Sequence, residues 1–416
     1  MAERVLLLKD ISPAAGEAFT EAGFAVDTFP KDIAMRSLGR AVKQTGTRVV
    51  GVRSGPRLTD GIIGSPTLEA IGVFATGLDA VDTTKALRKG VAVLAVKDES
   101  ALAVAEYVTG TIYGISRGLF QNTHEMKRGN WIKSHEGSRQ VEGKTLGIVG
   151  FGRIGRQTAR KALANRMNVL AYDVNPDVEI KGRVRGVDLE ELLAKSDYVT
   201  LHASSNKGDP PILDEAALFA MKEGSYLINA GRASLVDYEA LYKVLKKGYL
   251  GGAVIDVWGT DEPKSSRAKF RHRLARLPIV AATSHIAASS VETQDGIGRG
   301  VAGQVIDFLQ TANSEEVVNF SENMKKDPGP MDPDFLRLVW IHKNMAGAVA
   351  AATRLVSRLG GNLVAAELGS PHKVEIFHEI GYLTLDFEDL APYRVPGLQR
   401  KLSETPFDIK SRVIFG

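Results

Sequence analysis

A glycine-rich turn between an apolar strand and a helix is the feature that most constrains this chain. The segment Gly150-Phe-Gly152-Arg-Ile-Gly155 follows the apolar run 146–149 and precedes a helical pattern that starts near Arg153. Gly150 permits the tight turn, Gly152 lets the backbone approach a pyrophosphate, and Gly155 lets helix and strand pack closely. The free N–H groups that begin the helix favour phosphate. The spacing predicts a dinucleotide site in a Rossmann-type fold.

An acidic residue stands where a ribose contact is needed. Asp173 ends the second apolar strand, 168–173, and lies 18 residues beyond Gly155. Its carboxylate would accept a hydrogen bond from a ribose 2′-hydroxyl and would repel a 2′-phosphate. The sequence therefore predicts NAD, rather than NADP, as the cofactor.

Length and composition limit the class of protein. A chain of 416 residues is too long to fold around a single hydrophobic core, so two or three domains are predicted. The 53 basic and 49 acidic residues give a net charge of +4, which does not indicate nucleic acid. The absence of cysteine excludes disulfides and thiolate chemistry, no metal site is predicted, and a cytoplasmic location is expected. No apolar run is long enough for a membrane span, and the N-terminus does not resemble a signal peptide.

Alternating strand and helix patterns predict two doubly wound α/β domains. A parallel, flavodoxin-like sheet is expected within 1–100, and a long helical pattern covers 101–127. Six strands of the Rossmann-type domain are predicted at 146–149, 168–173, 198–201, 226–229, 253–257 and 279–283. A helix at about 290–311 would return the chain to the first domain, so that the nucleotide domain is inserted into it.

The last part of the chain predicts a small separate module. The segment 313–333 is polar and proline-rich, and beyond it the patterns follow the order βαββαβ of a ferredoxin-like fold. The predicted domains are 1–100 with 289–322, then 101–288 for the cofactor, a linker at 323–333, and the module at 334–416.

Three polar segments follow predicted strands of the nucleotide domain, where open α/β sheets bind their ligands. Arg232 can hold a carboxylate through two parallel N–H bonds. Asp256 ends an apolar strand, and His285 is suited to give and take a proton near neutral pH. A nearby acid, Glu262, would raise the pKa of that histidine. Taken singly, these residues also fit ordinary roles as a surface salt bridge, a turn cap and a structural histidine.

Together these residues fit one reaction. Hydride would pass between C2 of a 2-hydroxy acid and a nicotinamide, while His285 exchanges the hydroxyl proton and Arg232 holds the carboxylate. The protein would then supply orientation and acid–base chemistry, and the cofactor the redox chemistry.

The chain resembles the D-isomer-specific 2-hydroxyacid dehydrogenases over nearly its full length. The resemblance is carried by Gly150-Phe-Gly-Arg-Ile-Gly155, Ile228-Asn-Ala-Gly-Arg232, Ile255-Asp-Val, Glu262-Pro263 and Ser284-His-Ile-Ala287. It implies that Arg232, Glu262 and His285 carry catalysis. The most similar branch is the short bacterial type with a C-terminal ACT domain, which implies NAD-dependent oxidation of D-3-phosphoglycerate, the first step of phosphorylated serine biosynthesis.

The resemblance also implies contacts for cofactor, substrate and effector. Those to NAD map to Gly150, Gly152, Arg153, Ile154, Gly155, Asp173, His202, Ala230, Gly231, Arg232, Asp256, His285, Ala287 and Ala288. Those to the small anionic substrate map to Arg53, Ser54, Gly77, Lys133 and Arg232. A serine effector would meet His342, Asn344 and Asn362 at a subunit interface. A homo-oligomer is implied, a dimer or a tetramer, with no nucleic-acid or membrane partner.

Several positions depart from the family pattern. Gly55 stands where a second basic residue is usual, and one extra residue before Glu262 lets Asp261 compete for the role of histidine partner. The segments 256–258 and 283–287 are similar to erythronate-4-phosphate dehydrogenase. Another anionic substrate, such as erythronate 4-phosphate or a phosphonate, therefore stays open. A non-catalytic sensor of NAD or of an amino acid is the alternative from another class.

Overall fold

The chain folds into two compact units, each built around a parallel β-sheet. The computed structural model describes residues 3–8, 10–30, 33–53, 57–75, 77–78, 80–96, 99–133, 137–205, 208–263, 269–329, 331–369 and 380–415. One unit comprises Met1–Lys97 with Gln294–Gly416, and the other comprises Asp98–Thr293. In the described part of the chain, no helix has both the length and the apolar character needed to cross a bilayer.

The first unit begins with a five-stranded parallel sheet in the order β2-β1-β3-β4-β5. This is the flavodoxin-like order predicted from the sequence. Strands β3 and β4 are short, apolar and fully buried, as expected for a sheet covered on both faces. The elements are β1 (Arg4–Leu8), α1 (Pro13–Glu21), β2 (Ala25–Phe29), α2 (Met35–Thr45), β3 (Val49–Val52), α3 (Asp60–Ile63), β4 (Ala70–Val73), α4 (Thr83–Arg88) and β5 (Ala92–Leu94).

The second unit contains a seven-stranded parallel sheet in the order β12-β11-β10-β9-β6-β7-β8. The reversal at β6 and β9 is the Rossmann switch point, where ligands bind beyond the strand ends. The elements are α5 (Ser100–Ser116), α6 (Leu119–Lys127), β6 (Thr145–Val149), α7 (Arg153–Ala164), β7 (Asn168–Tyr172), β8 (Val184–Gly186), α8 (Leu189–Lys195), β9 (Tyr198–Leu201), α9 (Glu215–Ala220), β10 (Tyr226–Asn229), α10 (Tyr238–Lys246), β11 (Gly252–Ile255) and β12 (Val280–Ala282).

Two details of this unit differ from the sequence prediction. The helix expected over 101–127 is two helices, because Gly118 adopts a left-handed conformation with φ of 61° between α5 and α6. The sheet also has a seventh strand, β8, which pairs with β7 along one edge. A strand of only three residues, none of them buried, gives no periodic signal, so the sequence pattern missed β8.

The helix α11 (Val291–Thr311) leads to a small antiparallel module of the βαββαβ type. Its strand order is β14-β15-β13-β16, as the ferredoxin-like prediction requires. One face of this sheet packs on the module's own helices, and the other shares a buried apolar cluster with the five-stranded sheet through residues such as Ile341 and Tyr382. The elements are β13 (Leu336–Lys343), α12 (Ala348–Arg358), β14 (Asn362–Gly369), β15 (Ile380–Glu388), α13 (Val395–Ser403) and β16 (Asp408–Phe415).

A buried charge cluster fixes this module to the first sheet. Glu69, just before β4, accepts hydrogen bonds from Arg412 of β16 at 3.0 Å and from Arg48 at 2.9 Å. Lys410 donates to the backbone carbonyl of Leu68. Burial would raise the pKa of Glu69, but Arg412 and Arg48 outweigh it and hold that pKa below its usual range. The C-terminal module is therefore held against the first sheet by a carboxylate and guanidinium groups that stabilise each other's charge.

Replacing Glu69 by glutamine should destabilise the first unit by about 3 kcal/mol at pH 7, because the largely buried Arg412 loses its carboxylate partner and Arg48 keeps only the more exposed Glu3. Urea unfolding at pH 7 measures the change. Glu17→Gln is the matched control, since Glu17 pairs with Arg299 on the surface, where both side chains are 59% exposed. That control should change stability by less than about 1 kcal/mol.

The pH dependence gives an independent check on this cluster. The pKa of Glu69 is lower in the folded chain, so its stabilisation is present above the unfolded pKa of about 4.3 and is lost as the pH falls through the folded value. The difference between the native chain and Glu69→Gln should therefore shrink in acid. A difference that stays constant down to acid pH would contradict the assignment.

Candidate active site

The glycine-rich turn lies at the switch point of the seven-stranded sheet, between β6 and α7. Gly150 has φ of 92°, and a Cβ there would come within 3.0 Å of the backbone of Ala203. A Cβ at Gly155 would collide with the Gly150 carbonyl, so this glycine allows α7 to approach the strand. A Cβ at Gly152 would meet nothing within 4 Å. The turn thus leaves an open space before the uncapped N-terminus of α7, and that space fits a pyrophosphate.

Asp173, at the end of β7, supports this turn directly. Its Oδ2 accepts from the Phe151 N–H at 2.7 Å, and its Oδ1 accepts from the Asn175 N–H at 3.0 Å. A carboxylate oxygen accepts more than one hydrogen bond, so Asp173 retains capacity for a ribose hydroxyl. The residues present therefore fit the adenosine half of NAD.

His202 follows β9 and stands behind the turn. Its Nε2 lies 3.1 Å from the hydroxyl of Thr200 and 3.4 Å from that of Thr158. Its Nδ1 is buried and has no hydrogen-bond partner among the described residues. Burial lowers the pKa of His202 to about 4, so the ring is neutral at physiological pH. The predicted cofactor contact of His202 stays a prediction.

A histidine–carboxylate pair lies beyond the ends of β11 and β12. The Nδ1 of His285 is 3.1 Å and 3.2 Å from the two carboxylate oxygens of Glu262. An ionised carboxylate only accepts, so Nδ1 carries the proton and Nε2 is left for other chemistry. Asp261, the competing residue of the sequence analysis, instead lies 3.5 Å from His272.

The pair is electrostatically coupled. The hydrogen bond to Glu262 raises the pKa of His285 above its ordinary value, against burial and the nearby charge of Arg232, which lower it. Burial would raise the pKa of Glu262, but the bonds from His285 and from the Trp258 N–H hold it below the usual range. The histidine is therefore protonated at a higher pH than a free imidazole.

Asp256 shapes the loop that carries His285. The carboxylate is fully buried and accepts from the Ile286 N–H at 2.8 Å, the Ala287 N–H at 2.9 Å and the Thr283 hydroxyl at 2.6 Å. These bonds hold His285 at φ of 58°, a left-handed conformation that few side chains adopt. Both oxygens of Asp256 therefore serve the loop, and the predicted contact of this residue with the cofactor stays a prediction.

Arg232 reaches the same edge of the sheet from the end of β10. Its backbone carbonyl accepts from the side chain of Asn229 at 3.0 Å, and its Nη1 donates to the Gly231 carbonyl at 3.0 Å. The residue is exposed. Five N–H donors and one described internal bond leave the guanidinium able to clamp a carboxylate.

The remaining predicted cofactor and substrate residues are divided between the two units. Arg153 and Ile154 open α7, Ala230 and Gly231 precede Arg232, and Ala288 follows the His285 loop. In the first unit, the Nη1 of Arg53 donates to the Asp10 carbonyl at 3.0 Å, and Gly77 follows β4. Lys133 is exposed after α6, whereas Ser54 lies outside the described residues.

The three predicted effector residues do not meet within one chain. His342 is buried against Gly381 at the start of β15, and its Nδ1–H donates to the Lys343 carbonyl at 2.9 Å. Asn362 pairs with Glu388 at the opposite end of β15. Seven residues of strand separate the two positions by about 23 Å. Asn344 follows His342 and is likewise far from Asn362 along the strand.

Sequence reasoning missed two residues that support the His285 loop. The hydroxyl of Tyr107, on α5, lies 2.6 Å from that of Thr283, which donates to Asp256. Tyr107 carried no sequence signal, because it belongs to an apolar helix more than 170 residues earlier. Thr283 was adjacent to the histidine motif but had no assigned role.

The sequence and the fold are similar to those of known proteins. The NAD-binding domain of the D-isomer-specific 2-hydroxyacid dehydrogenases matches residues 109–287. D-3-phosphoglycerate dehydrogenase of Dictyostelium discoideum is 32% identical over 413 residues, which cover 99% of this chain and 97% of that protein. The enzyme of the same name from Haemophilus influenzae is 32% identical over 417 residues, with the same coverage. The structure of D-lactate dehydrogenase from Aquifex aeolicus with NAD and lactic acid is 26% identical, covers 73% of this chain and 95% of that chain, and has a TM-score of 0.62.

Proposed function

The chain belongs to the D-isomer-specific 2-hydroxyacid dehydrogenases, and we propose that it oxidises D-3-phosphoglycerate to 3-phosphohydroxypyruvate. It is an NAD-dependent oxidoreductase of that family. The substrate proposal is supported by the full-length similarity to enzymes named for that substrate. The observation that supports the chemistry best is the pairing of His285 with Glu262 at the C-terminal edge of the sheet.

His285 would act as the acid–base group. With Nδ1 bonded to Glu262, the Nε2 of neutral His285 can accept the proton of the C2 hydroxyl during oxidation, and the imidazolium can return it during reduction. Glu262 keeps the ring in the required tautomer and stabilises the imidazolium. The glycine-rich turn and Asp173 would hold NAD, which would supply the hydride-accepting chemistry.

Arg232 would hold the substrate carboxylate. A guanidinium forms two parallel bonds with a carboxylate and thereby fixes the orientation of the adjacent C2 carbon. The charge of Arg232 also lies near enough to His285 to lower the pKa of the histidine. The two groups could therefore contact the same substrate molecule. Substrate contacts by Arg53, Gly77 and Lys133 stay predictions.

Initial-rate assays test the substrate. NADH formation should be measured with D-3-phosphoglycerate, and the reverse reaction with 3-phosphohydroxypyruvate and NADH. D-Lactate, erythronate 4-phosphate and a 2-hydroxy phosphonate serve as comparators. The highest kcat/KM with D-3-phosphoglycerate supports the proposal, whereas a higher value with a comparator assigns a different anionic 2-hydroxy acid.

Opposite pH profiles are expected for the two directions. Oxidation requires neutral His285, so its kcat/KM should rise with pH through a midpoint above about 6.5, and the reverse reaction should fall through the same midpoint. Glu262→Gln should move both midpoints down, because the bond to Glu262 is the main cause of the raised pKa. Unchanged midpoints in this variant would contradict the pairing.

The separation of His342 from Asn362 bears on regulation. We infer that an effector site formed by His342, Asn344 and Asn362 requires two copies of the module, as in a homo-oligomer, and that L-serine is its ligand. Inhibition of the initial rate by L-serine, together with a solution mass of two or four times 44.8 kDa, would support this. A monomer inhibited by serine would contradict it. The cytoplasmic location remains a prediction.

A further inference from the structure

Trp258 contacts both segments that carry the histidine–carboxylate pair. It lies two residues beyond Asp256 and is 4% exposed. Its ring packs against Phe270 at 4.8 Å and His272 at 5.0 Å between centroids, and against Tyr238 at 6.1 Å. This aromatic cluster holds the indole in one orientation.

The same residue makes one hydrogen bond to each side of the pair. Its backbone N–H donates to Oε1 of Glu262 at 3.0 Å. Its indole Nε1–H donates to the backbone carbonyl of Thr283 at 2.8 Å. Thr283 stands two residues before His285 and begins the loop that Asp256 folds.

A purely apolar role does not account for this arrangement. A phenylalanine ring would fill similar space among Phe270, His272 and Tyr238, but it has no N–H group for the Thr283 carbonyl. The backbone N–H of Trp258 bonds to Glu262, and its indole N–H is the part that connects this segment to the His285 loop. Small errors in the placement of a catalytic group have large effects on rate.

We propose that Trp258 is a positioning residue, whose indole N–H sets the separation of His285 and Glu262. The inference rests on the proposed roles of these two residues. Trp258 touches neither substrate nor cofactor in this account. It acts by keeping the imidazole within hydrogen-bond distance of the carboxylate.

Trp258→Phe tests the indole N–H separately from the ring. The variant should lower kcat by about 10- to 100-fold, with little change in the KM for NAD. The midpoint of the pH profile for kcat/KM should move down toward about 6.5, since the bond to Glu262 lengthens. Trp340→Phe is the matched control, because Trp340 is also buried and its indole N–H donates to Asp408 at 2.8 Å in the C-terminal module. That control should leave the midpoint unchanged.

The outcomes separate this inference from the proposed function. Absence of turnover by the native chain on every 2-hydroxy acid would overturn the proposed function. Native turnover, with the kcat and pH midpoint of Trp258→Phe equal to the native values, would overturn the positioning role alone.

If Trp258→Phe does not fold, a measurement on a chain that keeps Trp258 tests the positioning role instead. The sequence has three tryptophans, so 15N-labelled indole signals can be assigned with Trp131→Phe and Trp340→Phe. The Trp258 signal should titrate with the kinetic midpoint, and His285→Asn should remove that titration. His272 also lies 5.0 Å from the ring and pairs with Asp261, so only the part of the signal change that His285→Asn removes is assigned to the His285–Glu262 pair. A Trp258 signal whose pH dependence is the same in the native chain and in His285→Asn would overturn the proposal.

Discussion

Replacement of His285 by asparagine is expected to lower kcat for oxidation by about 10³-fold, since general acid–base catalysis contributes between about 10² and 10⁴. Asparagine is preferable to alanine because it tolerates the left-handed conformation that position 285 requires. The three hydrogen bonds to Asp256 should therefore persist, and the loss can be attributed to the imidazole. Initial-rate assays in both directions measure it.

The control for this substitution is His124→Asn. His124 is exposed on α6 and should leave kcat within about twofold of the native value. Binding of NADH to His285→Asn, followed by fluorescence, should remain close to native. Retention of kcat within tenfold in His285→Asn would exclude the residue as the acid–base group.

The parts of the fold that the sequence predicted are those encoded locally. The turn from Gly150 to Gly155 depends on left-handed backbone and close packing, which glycine spacing reports directly. The alternation of strands and helices predicted two parallel sheets, although the edge strand β8 was missed. Gly118 was overlooked because a single glycine inside an apolar helical pattern is often tolerated.

What the sequence did not predict are contacts between distant segments. Glu69 and Arg412 are 343 positions apart, and neither lies in a motif. The same holds for Tyr107 and Thr283, which meet only because α5 packs near the end of β12. Composition and periodicity contain no information about such pairs.

One predicted site residue, Asp256, and one neighbour without a predicted role, Trp258, illustrate the limit within a motif. Asp256 was placed correctly at a strand end, but the sequence did not indicate that loop amides would use its carboxylate. Trp258 stood in the same segment without any assigned role, because a tryptophan after a strand is usually core. Direction of a side chain, unlike its position, is set by tertiary packing.

The second large effect is expected at Arg232. Arg232→Lys keeps the positive charge but removes the planar pair of N–H donors, so kcat/KM for the hydroxy acid should fall by about 10²-fold. In Arg232→Ala, kcat/KM should fall further, because the substrate carboxylate then loses both the positive charge beside it and the group that orients it. Steady-state assays with varied substrate at saturating NAD measure both variants.

The pattern of loss distinguishes a carboxylate clamp from a structural arginine. A clamp predicts a change in both kcat and the KM for the hydroxy acid, since the carboxylate fixes C2 beside His285, with little change in the KM for NAD. Arg185→Lys is the matched control. Arg185 lies on the edge strand β8 of the same sheet, away from β10, and pairs with Glu191 on the surface. An Arg232→Lys variant with native kcat/KM would show that the carboxylate is held elsewhere. The raised pKa of His285 gives a further check, because removal of the Arg232 charge should move the kinetic midpoint of Arg232→Ala up rather than down.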